Sequence, residues 1–444
     1  MDTPILDFVT TYAAADGARL HMPGHKGQAF LGCEKLDITE IKGADALYEA
    51  DGIIARSEEN AALLFGTART LYSTEGSSQC IRAMLYLALC CRKTEGRPVI
   101  VAARNVHKAF VYAAALLDFD VVWLWPEENR SICACPITAE TLERTLRSLP
   151  QPPAAVHLTS PDYLGNLQDV RALAEVAHRN DTLLLVDNAH GAYLRFLQPS
   201  MHPMDLGADL CCDSAHKTLP VLTGGAYLHV SKNAPAEFCS RGKVAMALFG
   251  STSPSYLTLL SLDRCNRYLA EEYPRKLDAA LREMETVRRK LREKGWNIEQ
   301  SDPLRITLSA PAGISGTELA QRLRENGAEC EFADPDYLVV MLTPENRKED
   351  LRRLVDALGE NTWGAGEKQK HLKQADGESV CSIREAFFLP QETVAVEDAL
   401  GRVCAAPTVA CPPAIPIVVS GERIGEEALA LLRYYGVETV DVIR

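Results

Sequence analysis

The residues best able to do chemistry in this 444-residue chain stand just after apolar, β-rich runs. Lys217 lies in CCDSAHKTLPVLTGGAYLHV, between Ser214, His216 and Thr218. Burial at a strand end lowers an amine's pKa and favours the neutral nucleophile that forms a Schiff base with a carbonyl. Alone, such a lysine reads as a loop residue; its companions change that. Asp187 closes the strand-like TLLLVD and is followed by Asn188, Ala189 and His190. A carboxylate there could keep a heterocyclic nitrogen protonated, making the ring an electron sink. The alternative is a ribose-binding acid, but no G-x-G-x-x-G precedes it at the required distance.

Glu75-Gly76-Ser77-Ser78-Gln79 sits between the strand-like LYST and the helical CIRAMLYLALCC. Backbone N–H groups and hydroxyls opening a helix make a phosphate cradle; a plain serine N-cap is the competing reading. It is not a P-loop, because no Gly-Lys-Ser/Thr follows. His107, in VAARNVHKAF, could stack on a flat ring or cap the next helix.

These residues need a scaffold that delivers strand ends to one edge. From about Gly66 to Val230, the runs RPVIVAA, VVWLW, AAVHLTS, TLLLVDNAHG, DLCCDSAHK and GAYLHV alternate with helical patterns. That alternation predicts an α/β domain with a mostly parallel sheet, whose ligands sit at the carboxyl ends of the strands. Residues 275–294 place Leu277, Leu281, Met284, Val287 and Leu291 on one helical face. The expected organisation is an N-terminal segment (1–40), a large domain (41–265), a linking helix (266–295), a small α/β domain (296–358), a polar linker (359–378) and a C-terminal segment (379–444). In the last, the prolines of CPPAIPIVVSGERI exclude a central helix or strand.

Composition narrows the function classes. Hydrophobic residues make up 47% and charged residues 24%, enough for a large core, and a net charge of −13 argues against nucleic acid or anionic membrane as main partner. No signal peptide is legible and no apolar run approaches the ~18 residues of a membrane helix, so a cytoplasmic protein is expected. The 14 cysteines should then be reduced, with Cys90–Cys91 and Cys211–Cys212 read as buried thiols. Cys133 and Cys135 form a lone C-x-C without a partner pair at zinc spacing, and no metal is expected.

Taken in order, HMPGHKG (His21–Gly27), LFGTARTLYSTEGSSQC (Leu64–Cys80), ARNVHKAF (Ala103–Phe110), TSPDYLGN (Thr159–Asn166), DNAHGAY (Asp187–Tyr193), DSAHKTLPVLTGGAYLHV (Asp213–Val230) and FGSTSPSY (Phe249–Tyr256) resemble the ornithine/lysine/arginine decarboxylases. The resemblance covers about residues 20–260 and resumes at CPPAIPIVVSGE. It implies the aspartate-aminotransferase fold (fold type I), with a smaller C-terminal α/β part, and pyridoxal 5'-phosphate as cofactor. It implies Lys217, His107, Asp187 and His216 as catalytic residues: Lys217 carries the cofactor, His107 stacks on its ring, and Asp187 pairs with its nitrogen. Gly76, Ser77, Ser78, His190, Ser214 and His216 complete the cofactor contacts, the serines and His216 holding the phosphate. Thr252 and Ser253 match a segment that in the family reaches the neighbouring subunit's cofactor, which implies a homodimer with shared sites. The chain resembles the short form, without an N-terminal wing domain. Glu75 stands where many members have Asn, and Gly224–Ala226 where hydroxyl-bearing residues are frequent.

The implied activity is α-decarboxylation of arginine, lysine or ornithine to the amine, in polyamine synthesis or acid resistance. Two rivals remain open. An aminotransferase or lyase of the same fold would anchor a substrate carboxylate on an arginine, for which Arg305 in LRITLSA is the candidate, against its reading as an exposed strand residue. A non-catalytic, cofactor-binding regulatory relative would need less than the full set of Lys217, Asp187 and His107.

Overall fold

The computed structural model describes residues 1–15, 17–92, 96–128, 131–299, 301–363, 377–407, 409 and 412–444. Most of the stretch expected as a polar linker, 364–376, lies outside the described residues. Two compact units divide the chain. Met1–Thr94, Leu146–Leu158 and Val170–Lys276 form the first, and Glu95–Thr145, Thr159–Asp169 and Leu277–Arg444 the second.

The apolar runs of the first half become the strands β1 (Arg69–Ser73), β2 (Val99–Ala103), β3 (Asp120–Leu124), β4 (Ala155–Thr159), β5 (Leu183–Asp187), β6 (Leu210–Asp213) and β7 (Ala226–Val230). In the first unit the order is β1-β7-β6-β5-β4. β5 and β6 run parallel, whereas β7 is antiparallel to both β6 and β1. β6 and β7 are buried along their whole length, which is why they read as continuous apolar runs rather than alternating ones. The helix Ser77–Cys91 packs on β6 and β7 through Cys80, Met84, Leu87 and their neighbours. The expectation of four buried thiols fails at its end: Cys90 is half-buried and Cys91 exposed, because the helical turn carries them off the stripe that faces the sheet. Cys211 and Cys212, in β6, are fully buried, as are Cys133 and Cys135.

In the second unit β2 and β3 pair in parallel. The helix Tyr273–Glu293 buries Leu277, Met284, Val287 and Leu291 of the face its spacing predicts, while Leu281 is half-buried. Met284, Val287 and Leu291 join Ile306, Leu308, Leu338 and Val340 in one core. Those last four residues belong to β8 (Arg305–Ser309) and β10 (Tyr337–Met341); β10 lies between β8 and β9 (Phe332–Ala333) in an antiparallel sheet ordered β8-β10-β9. A second antiparallel sheet, β11 (Gln391–Ala395), β13 (Thr439–Ile443) and β12 (Cys404–Ala406), closes the C-terminal part. Residues 412–424, between β12 and the helix Glu426–Tyr434, form neither helix nor strand, in keeping with their prolines. Among the described residues, no helix is long and apolar enough to cross a membrane.

Candidate active site

Parallel pairing of β5 and β6 sets Asp187 opposite Cys212, so Asp187 and Asp213 emerge at the same strand edge. Immediately after β6, Ser214 opens a single helical turn, Ala215–Thr218, that carries Lys217. This turn brings Lys217 Nζ to 2.9 Å from His190 Nε2, three residues beyond the end of β5. Asp187 is 3% exposed, and burial pushes its carboxyl above the usual carboxylate range, the positive charge of Lys217 opposing that rise. Among the described residues its donors are the Ala189 N–H at 3.1 Å and the Cys212 thiol at 3.5 Å, both on Oδ1. A buried carboxylate with so few donors is suited to a cation brought by a ligand.

The expected phosphate cradle is built as its glycine requires. Gly76 has φ +72, a conformation that favours glycine, and as N-cap of Ser77–Cys91 offers no side chain to the helix's first N–H groups. Its own N–H donates to Gly224 O at 2.7 Å. Gly224 is itself at φ +93, and a Cβ there would lie 2.6 Å from Thr74 O. The loop after Lys217 and the loop before Ser77 thus approach at backbone contact, which explains glycine at a place where a side chain was anticipated. Ser214 Oγ donates to Ser77 Oγ at 2.8 Å, joining the cradle to the lysine turn. His216 Nδ1 lies 3.1 Å from Gly225 O; since a carbonyl only accepts, Nδ1 carries the hydrogen. Thr252 and Ser253 are exposed. In the second unit, His107 caps the helix Lys108–Leu117, its Nδ1 accepting the Ala109 N–H at 3.1 Å. The cap uses one edge of the imidazole.

Sequence reasoning assigned no role to the polar knot behind the site. Asp213, wholly buried, receives His202 Nε2 and His229 Nε2, each at 3.0 Å on Oδ2, and Asn188 Nδ2 at 2.6 Å on Oδ1. Burial alone would raise this carboxyl, but the two imidazoles outweigh it and hold the group well below the usual range. His202, Cys211 and Asp213 lie close enough together to suggest a metal. The tautomer argues otherwise: His202 Nδ1 accepts the Met204 N–H at 3.3 Å, which leaves the hydrogen on Nε2, the atom facing Asp213. The position of Asp213, ahead of S-A-H-K, was the available signal.

Arg305 corrects the reading of an exposed strand residue. It is 1% exposed, pairs with Asp302 at 3.3 Å, and donates from Nη1 to Asp162 O. A guanidinium committed to that loop is poorly suited to receive a substrate carboxylate.

The donor set in the first unit fits pyridoxal phosphate: a lysine amine held by an imidazole, a buried acid with few donors, and hydroxyls with uncapped N–H groups at a helix start. Comparisons with known proteins agree. Residues 3–311 match the family model "Orn/Lys/Arg decarboxylase, major domain", and residues 374–439 match "Orn/Lys/Arg decarboxylase, C-terminal domain". The chain is 28% identical to the Bacillus subtilis protein YaaO, across 97% of this chain and 94% of that one. It is also 28% identical to an arginine decarboxylase of the same organism, across 97% and 93%. Among solved structures, the Francisella novicida lysine decarboxylase LdcF superposes with a TM-score of 0.83 at 17% identity, covering all of this chain and 81% of that one. Fold, cofactor chemistry and family therefore converge: the chain belongs to the Orn/Lys/Arg decarboxylase family and is a pyridoxal-phosphate-dependent decarboxylase.

Proposed function

We propose that this enzyme removes the α-carboxylate of a basic amino acid, with arginine as the preferred substrate. The observation that carries the reaction is Lys217 Nζ held by His190 Nε2 at the strand edge that Asp187 closes. The preference for arginine rests on the curated relative named arginine decarboxylase that aligns along nearly its whole length.

Pyridoxal phosphate, when bound, supplies the sink for the electron pair released with CO2. Lys217 would carry the cofactor and give it up to the substrate amine. Asp187 would hold the proton on the ring nitrogen, which its under-donated carboxylate is suited to do. Gly76, Ser77, Ser78 and Ser214 would hold the phosphate, and His107 would offer its ring face. Lys217 Nζ, once free, is the group to return a proton to Cα, with His190 fixing its direction. His216 is a weaker candidate for that proton, since its Nδ1 is committed to Gly225 O. Little-solvated surroundings favour loss of the carboxylate charge as CO2 forms.

Further parts of the reading follow the family resemblance: a homodimer in which Thr252 and Ser253 reach the neighbour's site, acting in the cytoplasm in polyamine synthesis. Leu20, Met22, Phe30 and Leu31 are at least 66% exposed within one short N-terminal stretch, which suits burial against a second copy. The aminotransferase reading is weakened by the buried, committed Arg305.

The test is a panel of arginine, lysine and ornithine assayed for CO2, amine and keto acid. Agmatine with equimolar CO2 from arginine is expected. Keto acid without CO2 would sink decarboxylation, and diamine from lysine or ornithine alone would sink the arginine assignment. A cofactor absorbance band lost in Lys217→Ala, with no turnover of any amino acid by the parent protein, would favour a regulatory role instead.

A further inference from the structure

We propose that Glu75 is a positioning residue that fastens the 251–253 segment to the phosphate cradle while its charge weakens the hold on the cofactor phosphate. The proposal rests on the reading of Gly76, Ser77 and Ser78 as that cradle.

Glu75 Oε1 accepts the Ser251 N–H, and Ser251 Oγ in turn accepts the Ser253 N–H at 3.1 Å. Four residues after Glu75, Gln79 Nε2 donates to Met246 O at 2.8 Å and to Tyr48 Oη at 2.9 Å. The chain between these two grips passes very close: a Cβ on Gly250 would lie 1.8 Å from Tyr48 Oη and 2.2 Å from Gln79 Nε2. Both ends of the E-G-S-S-Q loop therefore hold the segment that carries Thr252 and Ser253.

The backbone from which Glu75 projects is itself pinned. The Glu75 N–H donates to Ser73 Oγ at 3.0 Å, and the Gly76 N–H to Gly224 O at 2.7 Å. Glu75 is thus stationed one residue before the N-cap, beside the N–H groups and positive helix end that would attract a phosphate. A carboxylate there shares the positive field with an incoming phosphate and repels it. An amide oxygen could accept the same Ser251 N–H without a charge, so glutamine separates the two effects.

The apoenzyme is titrated with pyridoxal phosphate, and Kd is read from cofactor absorbance for the parent, Glu75→Gln and Glu75→Ala at low and high salt. Glu75→Gln is expected to bind about tenfold tighter than the parent at low salt, with the gap closing as salt screens the charge. Hydrogen exchange at Ser251–Ser253 is expected to rise in Glu75→Ala and stay at the parent's level in Glu75→Gln. Equal or weaker binding by Glu75→Gln at low salt overturns the electrostatic effect. Unchanged exchange in Glu75→Ala overturns the fastening. A parent protein that takes up no cofactor overturns the cradle reading itself, a result distinct from any ranking of the variants.

Discussion

Asp187 and Asp213 are buried carboxylates at the ends of adjacent parallel strands, and the fold treats them in opposite ways. Asp213 is surrounded by His202, His229 and Asn188, and those donors hold its carboxyl well below the usual range. Asp187 has one backbone N–H and one thiol, and burial pushes its carboxyl up. Nearly identical placement thus yields a well-donated anion in one case and a sparsely donated acid, the proposed partner of the cofactor's ring nitrogen, in the other. Incomplete donation to a buried acid marks where a ligand completes the structure, and a saturated acid marks scaffold.

The contrast is open to direct attack. Asp187→Asn should lower turnover by about 10^3-fold, since the interaction removed is with charge at the reacting centre. Its thermal midpoint should hold or rise, because a costly buried charge has gone. A collapse of stability at unchanged activity of the folded fraction would make Asp187 scaffold as well. Asp213→Asn should show the reverse profile, losing about 3–5 kcal/mol in denaturant unfolding as a buried, multiply bonded charge is broken. Full stability in that variant would dissolve the distinction.

His190→Gln sharpens it further. Turnover should fall about 10- to 100-fold through loosened placement of Lys217, with stability nearly unchanged. Steady-state rates and a melting curve on one preparation decide this.

Acidity gives the smallest effects but tests the same physics. Asp213, with its folded pKa depressed, contributes stability that is present above the unfolded carboxylate value and lost as pH falls through the folded pKa. Asp162 and Asp263, pushed up by burial to about 6, and Asp334, to about 7, have the opposite sign. Their contribution is full below about pH 4 and lost as pH rises through 6 and 7. From these four groups the thermal midpoint should therefore peak near pH 4 and decline on both sides. Asp334→Asn keeps an oxygen for the Asp336 and Tyr337 N–H groups, and should raise stability at pH 8 by about 1–2 kcal/mol, with no gain at pH 4. A gain that persists at pH 4 would assign the effect to packing rather than charge.

Much of this was legible in local pattern. Lys217 after an apolar run, Asp187 closing TLLLVD, and E-G-S-S-Q before a helix are neighbourhood signals, and the strands and helices around them form where their periodicities say. A strand's burial and a helix's start depend on residues within a few positions, so spacing reports them. The same logic misplaced Cys91, which continues an apolar run but turns outward with the helix. It also left Arg305 as an exposed strand residue. Residue types and their order along the chain thus determined the α/β fold and set Lys217, the proposed bearer of the cofactor, just after a buried strand. Only the tertiary structure decided that Lys217 leans on His190, that Asp213 is saturated while Asp187 is not, and that Glu75 grips Ser251. Those outcomes depend on which donors from distant segments reach one buried atom, and chain spacing does not record that distance.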